Sequence, residues 1–81
     1  SVMIKLGIIN VEEFLRTVNA CEGAVYMIQP DGRRTDIGRQ YGIQNDLRRQ
    51  HCDNKGYLKL MLDIPVPSDY MSIISYYAGD V

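Results

Sequence analysis

The sequence predicts an α+β domain, order βαββαβα, with a four-stranded antiparallel sheet carrying three helices on one face. Three observations predict it. Residues near both ends of the chain alternate between apolar and polar, as in Val2, Ile4, Leu6 and again in Leu58, Leu60, Leu62, which is the period of a half-buried strand. Two other stretches place apolar residues three and four apart, the spacing of a helix with one buried face. Between them, Pro30-Asp31-Gly32 is a tight turn that joins two short strands as a hairpin.

The first strand covers Val2 to Leu6, with Met3 and Lys5 on its second face, and Gly7 is expected to end it. Asn10 is positioned to cap a helix, Glu13 lies three residues on to complete a capping box, and Ile9 is placed to staple against Phe14. The helix then runs from Val11 to about Cys21, burying Val11, Phe14, Leu15 and Val18 while Glu12, Glu13, Arg16 and Asn19 face water. Gly23 supplies the stop.

Ala24 to Gln29 reads as a strand, and beyond the turn Arg33 to Asp36 reads as a short polar strand at an edge. Ile37 to about Gln50 has a helical pattern, with Ile37, Tyr41 and Leu47 inward, weakened by Gly38 and Gly42. Asp53 to Gly56 is a loop. Tyr57 to Asp63 is the clearest strand, with Leu58, Leu60 and Leu62 inward and Lys59 and Asp63 outward. After Pro65 and Pro67, Ser68 and Asp69 can cap a last helix whose stripe is Tyr70, Ile73, Ile74 and Tyr77.

With 81 residues, 46% of them hydrophobic and 23% charged, the chain has length for one core, so residues 1–81 are read as a single domain. A core this small is marginal, and association into a homodimer would add to it. The formal charge of −1 gives no overall attraction to nucleic acid or to an anionic membrane. No apolar run approaches the roughly 20 residues that cross a bilayer, and Ser1 to Leu6 lacks the apolar stretch of a signal peptide, so neither membrane insertion nor secretion is expected. Two cysteines, Cys21 and Cys52, are too few for a disulfide scaffold, and a reducing cytoplasm fits best.

The order of elements and several local signals resemble HPr, the small phosphocarrier of the bacterial sugar phosphotransferase system. The resemblance spans nearly the whole chain. It is carried best by Asn19 to Gly42, where a helix end, a strand, the Pro-Asp-Gly-Arg turn, a short strand and Asp36-Ile37-Gly38-Arg39-Gln40-Tyr41-Gly42 follow the HPr rhythm. It implies an HPr-like open-faced sandwich. In HPr the phosphoacceptor histidine lies between the first strand and first helix in a Gly-x-His-x-Arg-Pro stretch, where helix amides and an arginine stabilise phosphate. The corresponding stretch here is Gly7-Ile8-Ile9-Asn10-Val11-Glu12, which has no imidazole or guanidinium at Ile9 or Asn10, and Glu12 and Glu13 would repel a phosphoryl group. Arg39 stands where many HPr proteins of Gram-positive bacteria have a regulatory serine. The segment Gln44 to Gly56 is longer and more charged than the usual connection.

The single histidine, His51, adjoins Cys52 and Asp53, but neighbouring side chains rarely converge on one ion, so no metal site and no cofactor are expected. The same adjacency argues against a nucleophilic pair, and no enzymatic signature emerges. His51 is read as an exposed loop residue, with a relocated phosphoacceptor as the rival reading. Arg33, Arg34, Arg48 and Arg49 are candidate anion contacts, and with the six tyrosines they make nucleic-acid binding a third reading. The preferred expectation is an HPr-like module without phosphoryl transfer that binds a protein partner, such as phosphotransferase-system components, through its helical side. An imidazole over the leading end of the first helix would count against it.

Overall fold

The computed structural model describes residues 1–80 and has the expected α+β architecture and element order. Strand β1 (Val2–Ile8) leads to helix α1 (Val11–Ala20), then β2 (Tyr26–Ile28), β3 (Arg34–Asp36), α2 (Tyr41–Asp53), β4 (Leu58–Ile64) and α3 (Pro67–Asp80). The strands form one antiparallel sheet in the order β1-β4-β2-β3.

Strand β4 is central because its alternation is the strongest in the chain. Its register with β1 sets Val2 opposite Ile64, Ile4 opposite Leu62, Leu6 opposite Leu60 and Ile8 opposite Leu58, so one apolar row spans both strands on the helix-facing side. Leu6, Ile8, Leu60, Leu62 and Ile64 there meet Phe14, Leu15 and Val18 of α1, Leu47 of α2 and Ile73 of α3 in a single core. Burying each such side chain contributes roughly 1.5–3 kcal/mol, enough together to order a domain of this size. The opposite face of the sheet carries Met3, Lys5, Lys59, Met61 and Asp63 and has no helix over it.

Several elements differ from the sequence expectation for identifiable reasons. β1 continues through Gly7 to Ile8, because the ring of Tyr57 lies where a Gly7 side chain would be and covers the missing Cβ. Helix α2 begins at Tyr41, four residues later than the pattern suggests, and runs on to Asp53. The delay follows from Ile37: its amide bonds to the Val25 carbonyl (2.9 Å) and its side chain fills the core from a loop, so it cannot also start a helix. Arg39, at φ 55°, turns the chain in the left-handed region before the helix. Tyr41, expected to anchor α2, is 62% exposed, and Gln44 takes the inward position instead. Gln44 is satisfied there by the Asn19 side chain (2.7 and 3.2 Å) and the Ile37 carbonyl (2.8 Å), so its burial carries no unmet amide.

Asp63, expected to face solvent, is buried on the uncovered face of β4. The Arg34 guanidinium from β3 covers it at 2.9 Å, while neither carboxylate oxygen has a well-aligned hydrogen bond, so the attraction between them is charge with charge. Ile9, expected to staple onto Phe14, is 51% exposed. No helix among the described residues is long and apolar enough to cross a membrane.

Candidate functional site

The turn between β1 and α1 is where three elements converge. Asn10 caps α1 as expected, its side-chain oxygen accepting from the Glu13 amide at 3.0 Å. The reciprocal half of the capping box is absent, because Glu13 turns to Arg16 (2.7 Å). The Asn10 amide goes instead to Asp80, at the end of α3. Its carboxylate accepts from the amides of Ile9 (2.9 Å) and Asn10 (3.0 and 3.1 Å) and from the Tyr76 hydroxyl (2.6 Å). Tyr76 and Asp80 are four residues apart on one helix face, and the Tyr76 ring is fixed against Phe14 at a centroid distance of 5.8 Å. On the edge of β1, the Gly7 amide donates to the Tyr77 hydroxyl at 3.2 Å.

Antiparallel to α1, helix α2 brings its C-terminal turn to the same place. His51 lies in that turn, which closes with Gly56 at φ 80° and the Gly56 amide on the His51 carbonyl (2.8 Å). The His51 ring is half-buried, with Nε2 2.6 Å from the Ile9 carbonyl. A carbonyl only accepts, so Nε2 carries the proton of that contact and Nδ1 is the unshared nitrogen of the neutral ring. The loop placement expected for His51 is therefore corrected: it is helical, and its imidazole does stand at the leading end of α1. Sequence reasoning missed this because it ended α2 short of His51.

The charges around the turn are organised in pairs. Arg48 binds Glu12 at 2.7 Å, and this bond holds the Glu12 carboxyl below its usual range. Burial works against ionisation of Asp80, but the Tyr76 hydroxyl, the two amides and the nearby His51 outweigh it, and its carboxyl is also held low. Burial, and then the bond to Asp80, push the Tyr76 hydroxyl up. The site therefore holds a fixed carboxylate on the amides that an external anion would need.

The four candidate anion contacts are not brought together. Arg33 pairs with Asp31 (2.7 Å) and Arg34 with Asp63 (2.9 Å) at the β2–β3 hairpin, whereas Arg48 pairs with Glu12 (2.7 Å) and Arg49 with Asp46 (2.9 Å) on α2. Each guanidinium faces a carboxylate. Arg39 is tied to α1: its amide donates to Asn19 Oδ1 (2.8 Å) and its guanidinium to the Asn19 carbonyl (3.0 Å). Cys21 is buried and Cys52 exposed, both free, and no group of three metal-ligating side chains occurs among the described residues.

Compared with known proteins, the chain matches no family model, no curated protein and no solved structure.

Proposed function

We propose that this chain is an HPr-like module that does not relay phosphate and acts by binding a protein partner, phosphotransferase-system components among the candidates, through its helical side. The observation that carries this reading is the Asp80 carboxylate, seated on the Ile9 and Asn10 amides where a carrier would hold its phosphate. A second negative group there would meet Asp80 directly, and Glu12 stands in the first turn of α1. Partner binding is supported by two apolar side chains left uncovered at opposite ends of the α1–α2 pair, Ile9 at 51% and Tyr41 at 62% exposure.

Incubation with phosphoenolpyruvate and the upstream phosphotransferase enzyme should leave the mass of the chain unchanged. Acid-labile gain of one phosphate on His51 would overturn the reading. Titration with that same enzyme should shift amide resonances of Ile9 to Arg16 and of Tyr41 to Arg49. Shifts confined to the sheet would also reject it.

The placement of His51 favours one rival. A carrier using His51 has an imidazole beside the first helix and a free Nδ1 to accept the phosphoryl group, provided Asp80 moves aside. His51→Asn should then abolish transfer while leaving the circular dichroism spectrum unchanged, and transfer that survives the change rejects the rival.

A further inference from the structure

The sheet is incomplete in its middle. Strands β2 and β4 pair only at Tyr26 with Asp63 and Met27 with Leu62. The same register would continue to Ile28 opposite Met61 and Gln29 opposite Leu60, but β2 leaves β4 there and follows β3 into the hairpin, where the Gln29 amide bonds to the Arg33 carbonyl at 2.8 Å. Pro30, next in line, has no N–H to offer a neighbour. A cleft of about 650 Å³ opens between the parting strands, within the range of ligand-binding clefts.

The main chain of β4 faces into this cleft. In an antiparallel ladder successive residues turn their N–H and C=O groups alternately to one side and the other. The Gly7 amide points away from β4, to Tyr77, so Leu6 with Leu60 and Ile8 with Leu58 are the hydrogen-bonded pairs of β1 and β4. Lys59 therefore directs both its N–H and C=O toward β2 beyond the last paired residues, and Met61 directs its N–H there, while the Met61 carbonyl takes the Ile28 amide in the Met27–Leu62 pairing. Such a row of unpaired groups is a template for an added strand.

The side chains around it select for charge. Lys5 and Lys59 stand on the uncovered face at the rim of the cleft, with no carboxylate within ion-pair distance among the described residues. Lys5 faces Met61 across the β1–β4 pair, so the two lysines are diagonal neighbours, an unfavourable arrangement unless an anion joins them. Met27 and Leu60 lie on the core side of the same opening. We infer that the cleft binds an extended peptide segment with alternating acidic and apolar residues. Its main chain continues the ladder on Lys59 and on the Met61 amide, its carboxylates face Lys5 and Lys59, and its apolar side chains face Met27 and Leu60. This stands apart from the Ile9 and Tyr41 surface proposed above: of the helices only α2 reaches the cleft, with Gln50 in its lining.

The test titrates the full chain, labelled with ¹⁵N, with an acetylated and amidated Glu-Val-Glu-Val-Glu peptide. A Lys-Val-Lys-Val-Lys peptide and decanoate, an apolar anion without a peptide backbone, are run beside it. The acidic peptide should shift resonances of Met27 to Gln29 and of Lys59 to Met61, and slow hydrogen exchange at the Lys59 and Met61 amides. The Lys5→Glu, Lys59→Glu double variant should weaken it about ten-fold or more, a change of about 1.4 kcal/mol or greater, and favour the lysine peptide instead. Equal binding of both peptides by the unaltered chain, shifts with decanoate alone, shifts elsewhere on the surface, or no shift at millimolar acidic peptide would each overturn the inference. Both substitutions are at exposed positions, and an unchanged melting temperature shows that the variant retains its fold.

Discussion

Helix α3 carries an aspartate near each end, and each accepts the amides of two consecutive residues from another part of the chain. Asp69 takes Glu22 (2.9 Å) and Gly23 (2.8 Å) after α1, and Asp80 takes Ile9 (2.9 Å) and Asn10 (3.0 Å) before it. The chemistry is the same, but the settings are opposite. Asp69 is 3% exposed and sits in the first turn of α3, where the helix dipole favours its charge. The chain makes room for it with Gly23, where a Cβ would fall 2.6 Å from a Val66 methyl and 3.4 Å from the carboxylate itself. Asp80 sits in the last turn, against the dipole of its own helix, and is offset by the N-terminus of α1. The buried aspartate is thus a clamp for the fold, whereas the outer one lies at the surface, on the amides that lead into α1.

Removing the clamp should have the largest effect. Asp69→Ala strands two amides in a part-buried place and should cost about 3 kcal/mol in chemical denaturation. Asp80→Ala should cost about 1 kcal/mol, the worth of a helix cap whose amides can turn to water. Equal losses would erase the distinction between the two ends.

The pH dependence sharpens the comparison further. Because the folded carboxyl of Asp80 ionises below its ordinary value of 3.8, its contribution is complete above that value and is lost as pH falls through the lower, folded one. The difference in melting temperature between the wild-type chain and Asp80→Ala should therefore be constant near neutrality and shrink in acid. A difference that widens in acid would contradict the assignment.

The smallest effect concerns thiols. Burial, followed by the nearby Asp69, pushes the Cys21 thiol up to about 11, so in mildly alkaline buffer alkylation should modify Cys52 and spare Cys21. Asp69→Ala should speed labelling of Cys21 and Asp80→Ala should leave it nearly unchanged, as read by mass spectrometry of the digested chain.

What the sequence makes legible is the part of the structure that obeys a short period. The Leu58, Leu60, Leu62 alternation and the Val11, Phe14, Leu15, Val18 stripe place β4 and α1 within a residue or two, and Asn10 marks its cap. Ile37 misleads because an apolar residue beside a helix looks the same in sequence as one within it, and Tyr41 because the first residue of α2 leaves its ring in solvent. Asp63 misleads because alternation assigns it to the uncovered face, where a guanidinium from another strand then buries it. The candidate site is the least legible part. Asp80 and the Ile9 amide lie 71 residues apart, and only the four-residue spacing of Tyr76 and Asp80 hints that they act together. His51 reads in sequence as an exposed loop residue, because its meeting with Ile9 depends on where α2 ends.

The longest ladder in the sheet joins β1 to β4, and this governs how the chain can fold during translation. At about 5–20 residues per second, β4 leaves the ribosome several seconds after β1. Over that interval Ile4, Leu6 and Ile8 lack their β4 partners, and the elements that can form early are the local ones, α1, the β2–β3 hairpin and α2. A newly made chain of this kind leaves the apolar row of its first strand unpaired until its last strand arrives.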